Sequence, residues 1–419
     1  MTELFRARYR IGSYLPLEKA AAVLAGEQSS GTFTQVPGET AELKEKHAAR
    51  VAGVTPIDDL TERLPGAWNP DGAPKPRFGV VDIDFPVDNV GASLTSLLNT
   101  VAGNLFELRE FAALKLIDLD VPQPVLENYP GPTAGIDGTR QRIAPEHKGA
   151  VVGTIVKPSV GLPLPELAAL VRELAGAGLD FIKDDELNAN PPYAPLAERV
   201  RTVMREIERA ADVTGKKTMY AFNISDDIDV MLRNVELVER NGGTAVMITV
   251  PTAGLSALRA VRAATELPIH GHRSGFEAFG RSNALGIDYP VFQKLARLAG
   301  ADHLHVGGVN SKFFESNESV LASIRAIQAP LGHTRSVFPV LSSGQSAATA
   351  EATYDLVGSD ELMVLAGGGI TGHPDGAAAG VTSLRSAWTA LAAGSTPERA
   401  AVDVPELRRA LDHFGGTAR

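Results

Sequence analysis

The chain has 419 residues, 44% of them hydrophobic and 21% charged, which is too long for one compact core of ordinary size and suits a large α/β barrel with a smaller companion domain. Its formal net charge of −10 argues against nucleic acid or an anionic membrane as the main partner. The absence of cysteine excludes disulfides, thiolate nucleophiles and cysteine-bound zinc, and fits a reducing, cytoplasmic setting. No stretch is long and uncharged enough to span a bilayer, and residues 1–14 lack the apolar run of a secretory signal.

Residues 1–130 read as an α+β domain. Strands are expected over 5–12, 31–36, 48–57, 77–84 and 114–121, and helices over 17–26 and 93–103. That order suits an antiparallel sheet with helices on one face, a ferredoxin-like plan. Several Pro and Gly residues make 122–141 a connector. Over 148–419, short apolar strands alternate with longer amphipathic helices. The strands read as 150–156, 179–183, 218–224, 245–250, 268–272, 303–307, 338–342 and 361–365. Eight strand–helix units in about 250 residues match a (β/α)8 TIM barrel in size and order. A doubly wound open sheet is the alternative, but no Gly-x-Gly-x-x-Gly turn opens the first unit.

The stretch Asp180-Phe181-Ile182-Lys183-Asp184-Asp185-Glu186 is a short buried strand running into a charged tip. Alternation puts Phe181, Lys183 and Asp185 on one face and Ile182 and Asp184 on the other. One reading is a buried ion pair with a spare carboxylate. The other is a divalent-metal site, because hard cations take several oxygens. The second reading requires Lys183 to lose its charge, for instance by reacting with CO2 to form a carbamate.

In a barrel, function sits on the loops after the strands, and these strand ends are polar. The first ends in Lys157-Pro158-Ser159, and Lys157 is an acid/base candidate whose alternative is an ordinary surface lysine. The fifth carries His270, His272 and Arg273, and the sixth His303 and His305 before a loop ending at Lys312. The seventh and eighth end in Ser342-Ser343-Gly344 and Gly367-Gly368-Gly369, where backbone N–H groups and a helix N-terminus could hold a phosphate. Arg273 and His305 could hold a second anion, or Arg273 could pair with a neighbouring carboxylate. The four histidines allow a histidine metal site, ranked below the oxygen site, and His272 would suit a proton shuttle. Asp226, Asp227 and Asp229 read as a helix start.

These strand ends together resemble the large chain of ribulose-bisphosphate carboxylase/oxygenase (RuBisCO). The segments that carry the likeness are 153–158, 178–186, 270–273, 302–305, 342–344, 367–369 and 372–374, with Glu27, 31–33 and Gly103-Asn104 in the first domain. The resemblance implies a carbamylated Lys183 that completes a Mg2+ site with Asp185 and Glu186. It implies an acid/base role for Lys157 and places His272 beside the metal. Thr32, Lys312, Gly344, Gly367 and Gly368 would line one phosphate site, with Ser343 beside them, and Arg273, His305 and Ser342 the far end. Glu27, Thr32, Phe33 and Asn104 would complete the neighbouring subunit's site, which makes the minimum unit a homodimer. Ser159 stands where the carboxylase motif has a second lysine, Phe276 where a histidine is usual, and Phe33 replaces a tryptophan. The loop 307–312 also differs before its lysine. These departures point to the RuBisCO-like, non-CO2-fixing branch (type IV). The leading expectation is a Mg2+-dependent isomerase acting on a methylthioribulose-phosphate-like substrate through an enediolate. The alternatives are a C–C cleaving enzyme acting on 3-oxo-isoapionate 4-phosphate, a true carboxylase, and a silent sugar-phosphate binder.

Overall fold

The protein is described by a computed structural model over residues 3–31 and 36–416. Alternate burial builds its first sheet. The strands β1 (Leu4–Ser13), β2 (Arg50–Ile57), β3 (Arg77–Pro86) and β4 (Phe111–Leu119) pair antiparallel in the order β4-β1-β3-β2, the ferredoxin-like arrangement expected. β1 buries Phe5, Ala7, Tyr9 and Ile11, while its other face pairs Arg6 with Asp84 and Arg8 with Asp82 on β3, each at 2.7 Å. Helix Leu94–Ala102 meets the buried face, where the Tyr9 hydroxyl donates to the Val101 carbonyl at 2.7 Å. Helix Ala41–His47, started by the Thr40 side chain, was not expected. Of the expected strand over 31–36, positions 32–35 lie outside the described residues.

The connector is also more ordered than its Pro and Gly content suggested. It holds helices Gln123–Asn128 and Gly135–Ile143. Asp302 explains the second, since its Oδ1 accepts from the Ala134 and Gly135 N–H groups at 2.6 and 3.0 Å, a carboxylate at a helix start.

The chain continues through β5 (Val151–Ile155), β6 (Phe181–Lys183), β7 (Met219–Asn223), β8 (Ala245–Thr249) and β9 (Ile269–His272). It then forms β10 (Leu285–Ile287), which joins the first sheet parallel to β4, before β11 (His303–Gly307), β12 (Phe338–Leu341) and β13 (Met363–Leu365). Apart from β10, these strands close a parallel eight-stranded barrel, and all eight are the strands expected. Inward side chains such as Val151, Phe181, Met219, Met247, Phe338 and Leu365 fill it. Two compact units result, one from residues up to Pro130 with Gly275–Leu295 and Leu331–His333, the other carrying the barrel. No helix among the described residues is long and apolar enough to cross a membrane.

The end of β6 is pinned from outside. Asp184 points away from the barrel axis and accepts from Arg199 Nε at 3.1 Å, the Tyr220 hydroxyl at 2.6 Å and the Asn223 N–H at 2.9 Å. Arg199, on helix Leu196–Thr214, also donates to the carbonyls of Asn188, Ala189 and Ala194, which holds the loop after β6. Both charged side chains are 0% exposed. Removing one partner of such a pair strands the other, so Arg199→Ala is expected to cost about 3–5 kcal/mol in denaturant unfolding. A loss below about 1 kcal/mol would contradict this role.

Candidate active site

β5 and β6 are parallel neighbours with Ile155 opposite Lys183, so Lys157 and Asp185 leave the barrel side by side. Lys157 Nζ donates to Asp185 Oδ2 at 2.6 Å and to Ser159 Oγ at 2.8 Å. Lys157 is 42% exposed in its side chain and Asp185 only 2%. Burial pushes the Asp185 carboxyl up, but the Lys157 hydrogen bond and the Leu187 N–H together outweigh it and leave the group below the usual carboxylate range.

Lys183 points into the barrel, as alternation required. Its Nζ touches the Asp184 carbonyl at 3.0 Å, the Met247 sulfur at 3.6 Å and Glu186 Oε2 at 3.9 Å. Burial pulls its pKa down to about 8, against the opposing pull of Glu186, Asp185 and Asp184. The Asn223 amide donates to the carbonyls of Asp185 and Glu186, both at 3.2 Å, and fixes the backbone that carries the two carboxylates.

Among the described residues, no group of three or more His, Cys, Asp and Glu is arranged to hold a metal. Asp185 and Glu186 offer two hard carboxylates on one side of Lys183. A third oxygen would come from Lys183 itself if its amine became a carbamate. That donor set fits a hard divalent cation such as Mg2+, and the Lys157 ammonium against Asp185 marks a place where positive charge is already received.

The histidines do not gather round one point. His272 Nδ1 accepts the Ser274 N–H at 3.2 Å, so its neutral ring carries its proton on Nε2, 3.6 Å from Glu186 Oε2. Burial, then the positive charge of Lys183, hold His272 well below the usual histidine range. His305 lies 3.0 Å from Ser342 Oγ through Nδ1 and 2.8 Å from His270 through Nε2. His303 binds Thr139 Oγ1 at 2.8 Å. Arg273 forms the carboxylate pair that stood as the alternative to anion binding, with its Nη1 2.8 Å from Glu315 Oε1. Glu315 carried no sequence signal, because it lies in an irregular loop 42 residues further along the chain. Phe276 is buried against Tyr289 and Phe292, with ring centroids at 4.8 and 4.9 Å.

The glycine loops leave open space. A Cβ on Gly344 or Gly368 would meet nothing within 4 Å, and one on Gly367 would come no nearer than 3.9 Å, to the Lys157 side chain. Ser343 adopts φ 72° and Gly344 φ 70°, and the buried Ser343 hydroxyl has no hydrogen-bond partner among the described residues. The helix after β13, Gly368–Thr371, is a single turn, so its dipole adds less than expected. Lys312 sits in an exposed loop with its ammonium 5.4 Å from the Phe313 ring centre. Glu27 and Asn104 are exposed residues of the other unit, and Thr32 and Phe33 lie outside the described residues. Asp227 occupies the N-cap position of helix Ile228–Arg240 without a side-chain capping bond, and Asp229 pairs with Arg233 at 2.7 Å in its first turns.

Two family models match the chain: the ribulose bisphosphate carboxylase large chain N-terminal domain over residues 7–125 and its catalytic domain over residues 135–414. The chain is 46% identical to a 3-oxo-isoapionate-4-phosphate transcarboxylase/hydrolase from Xanthobacter autotrophicus, covering 98% of this chain and 99% of that protein. It is 38% identical to a 3-oxo-isoapionate-4-phosphate decarboxylase from Rhizobium etli, covering 97% of each. A crystal structure of a rubisco-like protein from Burkholderia fungorum superposes with a TM-score of 0.90 at 42% identity, covering 98% of this chain and 100% of that one. With both domains matched and its strand ends arranged as described, the chain belongs to the ribulose bisphosphate carboxylase large-chain family, as a RuBisCO-like protein.

Proposed function

We propose that this chain cleaves a carbon–carbon bond of 3-oxo-isoapionate 4-phosphate, using Mg2+ held by Asp185, Glu186 and a carbamate on Lys183. The observation that carries the metal chemistry is the buried Lys183 amine, held at a pKa of about 8 beside two carboxylates. The substrate is suggested by the Xanthobacter and Rhizobium relatives, which are named for acting on it. Their names support C–C cleavage over the isomerase that led the expectations from sequence.

The substrate's name describes an acid with an oxo group two carbons from its carboxyl carbon. When such an acid loses CO2, the bonding pair stays on the intervening carbon and spreads onto the oxo oxygen as an enolate. Hydrolysis instead adds water to the oxo carbon, which becomes a carboxylic acid as its bond to the intervening carbon breaks; the electron pair is left next to the carboxylate, and a proton converts that fragment into a second, shorter acid. In both cases the barrier is the developing negative charge. A bound divalent cation would supply Lewis-acid stabilisation of that charge.

The remaining work belongs to side chains. Lys157, half-exposed at the barrel mouth beside Asp185, would hold an ammonium proton for the carbanion. Neutral His272 offers Nε2–H to an anionic oxygen. The open backbone at Gly344, Gly367 and Gly368, with the unpartnered Ser343 hydroxyl, suits the phosphate, and Lys312 would close over it. Glu27, Thr32, Phe33 and Asn104 would reach the site of a second copy, in a cytoplasmic homodimer. A relative from Hyperthermus butylicus, 29% identical, is described as a dimeric RuBisCO, which supports this assembly.

Three outcomes are expected. With the carboxyl carbon labelled, the label leaves as CO2 or ends in a shorter acid, and a product that keeps the intact skeleton with a moved carbonyl would refute cleavage. Lys157→Ala lowers kcat by about 10²–10⁴-fold with little change in KM, and a loss confined to KM would refute its proton role. Carbamate forms from the neutral amine, which a lowered lysine pKa makes available above pH 8. At fixed dissolved CO2 the activation rate therefore rises about fivefold from pH 7 to 8 and levels off above about pH 9. A rate still climbing through the ordinary lysine range would refute this environment for Lys183.

A further inference from the structure

Thr249 is the last residue of β8, and its side chain carries a buried polar atom that the fold does not use. The residue is 6% exposed, its hydroxyl oxygen is closed off from solvent, and that oxygen has no hydrogen-bond partner among the described residues. An unmet buried hydroxyl lowers stability, whereas valine has the same shape and leaves nothing unmet. The backbone at this position is satisfied. The Thr249 N–H donates to Ser225 Oγ at 2.9 Å, and the Thr249 carbonyl accepts from Thr252 Oγ1 at 3.1 Å. Only the hydroxyl is without work.

The strand register places this hydroxyl. β6, β7 and β8 pair Lys183 with Ala221 and Ala221 with Ala245. The tilt of barrel strands brings Met247, two residues further on, to the amine, and its sulfur lies 3.6 Å from Lys183 Nζ. Alternation sets Thr249 on the same inward face as Met247, about 6.6 Å nearer the mouth, two residues along a parallel strand. On β9 it stands opposite His272. Lys183 heads for the same mouth, where its Nζ lies 3.9 Å from Glu186 Oε2. Ile155, opposite Lys183 on β5, and Met247 bring no donor. Both Asn223 amide hydrogens go to the Asp185 and Glu186 carbonyls.

A neutral Lys183 amine attacks dissolved CO2 by forming a nitrogen–carbon bond, as one C–O bonding pair moves onto oxygen and an amine proton passes to water. The carbamate so formed has two oxygens, of which the cation argued for above takes one. We propose that the Thr249 hydroxyl donates its hydrogen to the other, which makes Thr249 a positioning residue for the Lys183 carbamate. A hydrogen bond to a charged acceptor is about twice as strong as one between neutral groups. Because its oxygen is shut from solvent, Thr249 is placed for a group that grows from buried Lys183, not for one that arrives through the mouth. The proposal rests on the carbamate and Mg2+ reading above and adds a residue to that site.

The test compares the full-length wild type with Thr249→Val and Thr249→Ser. Each is titrated with carbon-13 bicarbonate at saturating Mg2+ and followed by NMR, and each is melted in CO2-free buffer. Thr249→Val is expected to need at least about fivefold more dissolved CO2 for half-maximal carbamate, and Thr249→Ser to stay within about twofold of the wild type. In CO2-free buffer Thr249→Val is expected to unfold no earlier than the wild type, because it removes an unmet hydroxyl. An unchanged CO2 requirement in Thr249→Val overturns the proposal. So does a Thr249→Val protein that unfolds earlier, or fails to fold, without CO2, since the hydroxyl then has a structural partner. A wild type that forms no Lys183 carbamate refutes the metal reading as well, whereas a wild-type carbamate that Thr249→Val leaves unchanged refutes this proposal alone. None of these readouts needs turnover.

Discussion

An amine held inside an apolar barrel is the constraint on which the rest of this site depends. Lys183 is buried with its ammonium against the Met247 sulfur, and burial lowers its pKa despite three carboxylates nearby. The adjacent Asp184 is turned outward and used by Arg199, which leaves Asp185 and Glu186 for the barrel mouth. With Lys183 protonated, Lys157, Lys183, Asp185 and Glu186 have opposite formal charges that cancel. In the proposed reading the carbamate changes the balance by two negative charges, which one divalent cation restores. The modification and the metal are then each unfavourable alone and favourable together.

Much of this was legible in the sequence. The barrel strands are short apolar runs with polar ends, and period-two alternation over 180–186 separated the inward Lys183 and Asp185 from the outward Asp184. The ferredoxin-like sheet was readable because β1, β3 and β4 are long and carry an apolar face. Other features were not legible. β10 has only three residues, too few to show a period. The helix Gly135–Ile143 depends on a carboxylate far away at Asp302, so its own residues looked like a connector. The histidines bond one another across neighbouring strands, and Thr139, which His303 meets, lies in that same supposed connector. Glu315 could be placed only by the path of an irregular loop.

Two ends of one barrel mouth therefore differ in chemical character. The corner around Lys183 gathers the Asp185 and Glu186 carboxylates, with the Lys157 ammonium on Asp185. At the other end Arg273 is paired with Glu315, and His305 with Ser342. Ser159 against Lys157, and Phe276 buried among aromatic rings, are local marks of the chain's departure from the carboxylase pattern.

The most direct measurement is carbon-13 NMR of the protein equilibrated with labelled bicarbonate and Mg2+. The account predicts one carbamate carbon per chain, stabilised by the metal and lost in Lys183→Met. A spectrum with no Lys183-dependent carbamate at saturating CO2 and Mg2+ would contradict it.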